Sequence, residues 1–137
     1  MIYDEAKLQR DIVSWFGLQY PYLEGLLVGY VAGVNVDIKT AVRLKRMGLR
    51  AGFPDLQLLV PGSIKDDGTE APGLFLELKT IRGRLSDIQK EYHSKLRFLN
   101  YTIVVVRELD EAISWVKAYL GRVPGLEEKY RHRCLTD

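Results

Sequence analysis

Hydrophobic positions along the chain switch between a helical and an extended period. Leu8, Ile12, Trp15 and Phe16 recur at helical spacing, which predicts a helix from Asp4 to Leu18, capped by Asp4 and ended by Tyr20-Pro21. The apolar run from Leu26 to Ala32 reads as a short strand. A second helix is predicted from Asp37 to Met47, with Asn35 or Asp37 as cap, Ile38, Ala41, Val42 and Leu44 inward, and Gly48 as its stop. Asp55 to Val60 reads as a strand entered through Gly52-Phe53-Pro54. Pro61 to Gly73 is a polar loop, and Gly73 to Lys79 is a further strand, antiparallel to the one before. Ser86 to Leu99 follows as a helix with Ile88, Tyr92, Leu96 and Leu99 inward, and Ser86-Asp87-Ile88-Gln89 fits a capping box. Tyr101 to Val106 is the most hydrophobic strand and is expected at the centre of the sheet. Asp110 to Leu120 closes the series as a helix stopped by Gly121, with Tyr92 and Trp115 expected in the core. This order predicts an α/β fold, a mixed sheet flanked by helices, in one domain over residues 1–121 with an unassigned tail over 122–137.

One strand breaks its own pattern. In Leu74-Phe75-Leu76-Glu77-Leu78-Lys79 the side chains alternate, so Phe75, Glu77 and Lys79 share one face and the leucines the other. A carboxylate and an ammonium on one face of an apolar strand are costly to bury without partners. The rest of the composition is ordinary for a soluble protein, 47% hydrophobic and 28% charged, and a net charge of +2 does not mark a nucleic-acid binder. The distribution says more. Lys39, Arg43, Lys45, Arg46 and Arg50 cluster before Asp55, and Arg82 and Arg84 follow Lys79, a local basic density that suits a polyanion such as DNA. For any one of them a solvated helix face is the simpler account. A single cysteine, Cys134, excludes an internal disulfide and fits a reducing compartment, so a cytoplasmic location is expected. Met1-Ile2-Tyr3-Asp4-Glu5 lacks the character of a signal peptide, and the run around Leu26 is too short to span a bilayer, so no membrane association is expected.

Asp55, Glu77 and Lys79 together suit metal-assisted phosphodiester hydrolysis. Magnesium or manganese takes hard oxygen ligands, which Asp55, Glu77 and the Leu78 carbonyl can supply, and Lys79 can orient the attacking water. Each residue has a simpler reading alone. Asp55 can be a turn residue, Glu77 and Lys79 an ion pair on a sheet edge, Gln89 a capping residue, and Glu5 an acid favoured by the helix dipole. His93, His132 and Cys134 are tempting as zinc ligands but lack a ligand set, His93 standing on a helix with no partner evident.

The motifs Gly52-Phe53-Pro54-Asp55, Leu76-Glu77-Leu78-Lys79 and Gly83-Arg84-Leu85-Ser86-Asp87-Ile88-Gln89, followed by the Tyr101–Val106 strand, resemble the VRR-NUC family of virus-type replication-repair nucleases, within the PD-(D/E)xK restriction-endonuclease-like superfamily. The resemblance covers roughly Asp4 to Leu120. It implies a magnesium- or manganese-dependent endonuclease of phage or bacterial type, with metal ligation at Asp55 and Glu77, catalysis at Lys79, and supporting roles for Gln89 and Glu5. It also implies DNA as substrate, with branched forms such as four-way junctions and a place in DNA repair among the family's themes, and it favours a homodimer. Tyr20, Tyr22, Leu23, Leu26 and Leu27 are the candidate dimer surface. The family's Asn-Gly turn near the second helix is replaced here by Val34-Asn35-Val36. The competing readings are an inert nuclease-fold module that binds DNA or protein, and a restriction-type enzyme that reads a base sequence.

Overall fold

The structure is a computed structural model that describes residues 4–30 and 37–131. The Val34-Asn35-Val36 segment, the Asn35 cap, and His132 and Cys134 lie outside the described residues, as does the end of the strand expected to reach Ala32.

The elements run α1 (Glu5–Gln19), β1 (Leu27–Gly29), α2 (Ile38–Arg46), β2 (Leu56–Leu58), β3 (Leu74–Leu78), α3 (Asp87–Phe98), β4 (Thr102–Val106), α4 (Leu109–Leu120) and α5 (Leu126–Arg131). Local chemistry accounts for the helix starts. The Asp4 carboxylate accepts from Lys7 N at 2.6 Å, Asp37 accepts from Thr40 N at 2.7 Å, and the Ser86–Gln89 capping box is complete. Helix α5 falls in the unassigned tail. Its Leu126 and Tyr130 pack on the main core.

The described strands form one sheet in the order β1-β2-β3-β4. The pairs β1–β2 and β2–β3 are antiparallel, and β3–β4 is parallel, with α3 as the crossover. The expected central position of the Tyr101–Val106 strand is therefore corrected. β2 and β3 are the inner strands, and β4 lies at the end of the order. β4 is hydrophobic because α3 and α4 both pack on it, which buries Ile103, Val104 and Val106 although the strand ends the order.

The sheet divides the core in two. Leu74, Leu76 and Leu78 join Leu56, Leu58, Val104 and Val106 beneath α1 and α4, where Leu8, Ile12, Phe16, Ala112, Val116 and Tyr119 close the main cluster. On the other face Phe75, Ile103 and Leu96 form a smaller cluster with Phe53 and Tyr101 against it. The aromatic rings there meet edge to face: Tyr30 with Phe53 at 5.1 Å, Phe53 with Phe75 at 5.5 Å and Phe53 with Tyr92 at 5.6 Å. The smaller cluster leaves room on that face for polar groups.

Four packing expectations change. In α3, Ile88 and Leu99 are exposed, and the inward stripe is Gln89, His93 and Leu96. The helix is turned so that polar residues meet the sheet where Glu77 needs them. In α2, Ile38, Ala41 and Val42 are exposed and, of the four residues expected inward, only Leu44 is half-buried, because the helix lies off the sheet. Trp115 is exposed at the surface of α4, while Tyr92 is half-buried by its contact with Phe53. Tyr20 and Leu23, expected at a dimer surface, are buried, and Tyr22, Leu26 and Leu27 pack against the same core. The short helical turn Pro21–Leu23 sits under α5, which takes up the apolar surface assigned to a partner.

Gly52 joins α3 to the entry of β2. Its φ is +83°, and a Cβ there would lie 2.5 Å from Ile88 Cγ2 and 2.9 Å from the Ile88 backbone. The Gly52→Ala variant is expected to lose about 1–3 kcal/mol from backbone strain alone, with the collision adding to it. Chemical denaturation should show this as a lower midpoint at unchanged slope.

Candidate active site

The ladder between β2 and β3 ends at Leu56–Leu76. Two residues further along the same register, Leu78 faces Pro54, which has no N–H to donate. The Leu78 N–H instead reaches the Asp55 carboxylate, which accepts at 2.8 Å on Oδ2. N–H and C=O of one strand residue point the same way, so the Leu78 carbonyl also looks towards this ladder end, where proline offers it no donor. Asp55 is held on its other side by backbone, its carbonyl accepting from Tyr30 N at 2.8 Å. The Pro54-Asp55 pair thus ends the sheet locally and leaves two oxygen donors, a carboxylate and a carbonyl, at one place.

Glu77 lies beside them on the inner strand β3, 1% exposed. Its Oε1 is 2.9 Å from His93 Nε2, and its Oε2 is 3.5 Å from Gln89 Nε2. Gln89 therefore serves twice. Its Oε1 accepts from Ser86 N at 2.9 Å in the capping box, while its amide nitrogen points at the carboxylate. Burial pushes the Glu77 carboxyl up to about 9, helped by a hydrogen bond with Asp55 and by that group's negative charge. Lys79 acts in the opposite direction and Glu5 adds to the rise, so both are near enough to be felt. Burial also holds His93 below the usual imidazole range, with Arg97 and Lys79 adding to the effect. The His93 Nδ1 is buried without a partner, which costs about 1–3 kcal/mol in a neutral interior.

The structure thus brings together Asp55, Glu77, Leu78, Lys79, Gln89 and Glu5. Lys79 is half-buried, one step beyond β3 on the Glu77 face, and its N–H continues the parallel ladder to Val106 O at 3.0 Å. Glu5 sits in the first turn of α1, exposed. The basic residues divide into groups. Lys39, Arg43 and Arg46 recur at helical spacing along one exposed face of α2, and Lys45 lies on a different face beside Ile38 and Val42. The Arg50 guanidinium caps the helix end, donating to Lys45 O at 3.0 Å and Leu49 O at 3.3 Å. Arg82 and Arg84 are exposed in the loop after Lys79.

Two residues escape sequence reasoning. His93 has the partner that the sequence did not reveal, and the available signal was its position one turn after Gln89. Arg107 follows β4, and its Nη1 donates to the carbonyls of Thr80 and Gly83, each at 2.6 Å, which fixes the turn leaving Lys79. The parallel register that sets Arg107 beside Lys79 has no signature in the sequence.

The residues suit a hard divalent cation. Among the described residues no three His, Cys, Asp or Glu side chains converge to hold an ion by themselves. The donor set is an Asp–Glu carboxylate pair plus a backbone carbonyl that the ladder leaves without a donor, and ions that retain several waters suit so sparse a set. Asp55 adds to the rise that burial gives the Glu77 carboxyl, and two adjacent carboxylates ionise together more readily when a positive charge joins them.

Residues 4–108 match the VRR-NUC domain family. A solved structure described as a VRR_NUC domain protein superposes with a TM-score of 0.71 at 24% identity, over 88% of this chain and 90% of that one, which shows the shared fold. No curated protein matches the chain.

The Glu77 shift sets a pH dependence. Folded Glu77 binds its proton more tightly than the unfolded side chain, so the stability it contributes is complete at acid pH and is lost as pH rises through about 9. His93 works in the other sense, and only in the acid range where unfolding lets the ring take up a proton. Between about pH 7 and 9, in metal-free buffer, the melting temperature should therefore fall with pH more steeply in the wild type than in Glu77→Gln. Parallel melting curves for the two proteins would contradict this account of the site.

Proposed function

The chain belongs to the VRR-NUC domain family, a nuclease family, and we propose from this premise that it is a metal-dependent endonuclease hydrolysing DNA phosphodiester bonds, with branched DNA such as four-way junctions as its preferred substrate. The observation that carries the reading is the end of the β2–β3 ladder, where Asp55 takes the Leu78 N–H beside the buried Glu77. Asp55, Glu77 and the Leu78 carbonyl would hold magnesium or manganese, which when bound offsets phosphate charge and makes a bound water acidic.

The protein's own groups have distinct tasks. Asp55 and Glu77 supply the negative charge that selects a cation over other ligands. Lys79, half-buried on the same face, orients the attacking water and offsets charge building on the phosphate. Arg107 keeps the Lys79 backbone in place through the Thr80 and Gly83 carbonyls. Gln89 steadies the Glu77 carboxylate while closing the first turn of α3. Glu5, exposed in the first turn of α1, adds its charge to the field at Glu77 and can act through water. On the outside, Lys39, Arg43 and Arg46 of α2 and Arg82 and Arg84 offer contacts to phosphates rather than base edges.

A homodimer belongs to this reading because paired cuts across a junction need two sites at a fixed separation. Within the Tyr20–Leu27 segment, Tyr20 and Leu23 are buried in the core and would contribute little to such a surface. Light scattering decides the matter. A mass that stays near 15.7 kDa as concentration rises would leave a monomeric nicking enzyme.

Incubation with linear duplex, flap and four-way junction DNA, with and without magnesium, tests the proposal directly. Cleavage independent of magnesium would overturn it. Lys79→Ala is expected to abolish cleavage while calorimetry with manganese remains close to wild type, and Asp55→Asn is expected to weaken manganese binding as well, since an amide is a poorer ligand for a hard cation. Turnover retained in Lys79→Ala would remove that residue from the chemistry.

The triple variant Lys39→Ala, Arg43→Ala and Arg46→Ala should weaken binding to all DNA sequences alike. Its salt dependence should become shallower by about 0.9 for each phosphate that is no longer neutralised, measured by titrations at several salt concentrations. An unchanged slope would place the DNA away from α2.

A further inference from the structure

We propose that His93 is a positioning residue for the metal site, holding Oε1 of Glu77 so that Oε2 alone is presented to a divalent cation beside Asp55. The inference rests on the reading that Asp55 and Glu77 bind such a cation. His93 and Glu77 are each 1% exposed, and the Nε2–Oε1 distance is 2.9 Å. The Nδ1 atom has no partner, so the imidazole directs its hydrogen bonding at Glu77 alone. Below His93 on the same face of α3, Leu96 packs with Phe75 and Ile103. A leucine at position 93 would extend that apolar contact without burying a ring nitrogen. The polar ring is explained by the carboxylate it touches.

Geometry gives the bond a consequence. A carboxylate with both oxygens free can grip an ion with one oxygen or two, or turn about its last bond. With Oε1 held by a rigid ring, the carboxyl plane is set. The remaining oxygen is approached by the Gln89 amide at 3.5 Å, a contact loose enough for an ion to displace. One-oxygen ligation suits small ions that keep octahedral geometry and their waters, whereas calcium accepts two oxygens of one carboxylate. His93 therefore favours magnesium and manganese over calcium, in the manner of partners that orient ligands from behind.

Calorimetry on the full chain tests this with three proteins: wild type, His93→Leu and His93→Gln, the last with an amide able to donate to Oε1. Folding is checked by circular dichroism. His93→Leu should bind manganese about 10–100-fold more weakly, His93→Gln should recover most of the loss, and the calcium-to-manganese affinity ratio should rise in His93→Leu. A folded His93→Leu with wild-type manganese affinity would overturn the proposal. So would equal losses in both variants at an unchanged ion ratio, because a purely structural role predicts that pattern. If His93→Leu does not fold, nitrogen-15 spectra of the wild-type ring decide. They should show Nε2 protonated and shifted on adding magnesium, and an unshifted ring overturns the proposal. A wild-type protein that binds no manganese overturns the metal reading itself, and this role with it.

Discussion

The hydrogen bond from Leu78 N–H to the Asp55 carboxylate sets the terms for the rest of the molecule. Pro54 stops the ladder because it cannot donate, and the side chain of the next residue takes the place of the missing backbone partner. Two backbone groups and one carboxylate are thereby aimed at one point on an inner strand of the sheet. The leucines on the far face of β3 hold that strand in the main core, so the site stands on the most buried part of the fold rather than on a mobile loop.

Glu77 sits at this point at an energetic cost. It is buried beside another carboxylate, Asp55, and an imidazole and an amide meet its two oxygens. Such a group retains a proton until a positive charge arrives, and it resists full ionisation for the reason that makes it a good ligand. Helix α3 is turned to serve this need. Its inward stripe carries Gln89 and His93 where a purely apolar stripe would have packed more simply, and only Leu96 continues the hydrophobic contact. Local order and chemistry share the same residues, since Gln89 both caps the helix and faces the carboxylate.

Surface and interior are divided in the same way. The sheet and helices α1 and α4 absorb most of the apolar side chains, α5 covers the Pro21–Leu23 turn, and α2 is left amphipathic but exposed, with a cationic stripe. The exposed apolar residues of α2 add little to the burial that holds the fold together.

The sequence by itself determined the helix starts, the alternation of β3 and the order of elements, because caps and two-residue periods are local properties that neighbours in the chain impose. It also marked Glu77, Lys79 and Gln89, since charged residues in an apolar strand and a capping box are legible without any fold, while Asp55 stood out through the Gly52-Phe53-Pro54-Asp55 motif. Tertiary structure alone decided the rest. Whether β4 lies at the centre or the end depends on parallel pairing across a crossover, and hydrophobicity reports burial without reporting strand order. Which way α3 and α2 face, and so the exposure of Ile38, Val42, Ile88 and Leu99, depends on what lies opposite them. The partners of His93 and Arg107 are far from them in the chain, 16 and 27 residues in the contacts that matter most, and no local period links such residues.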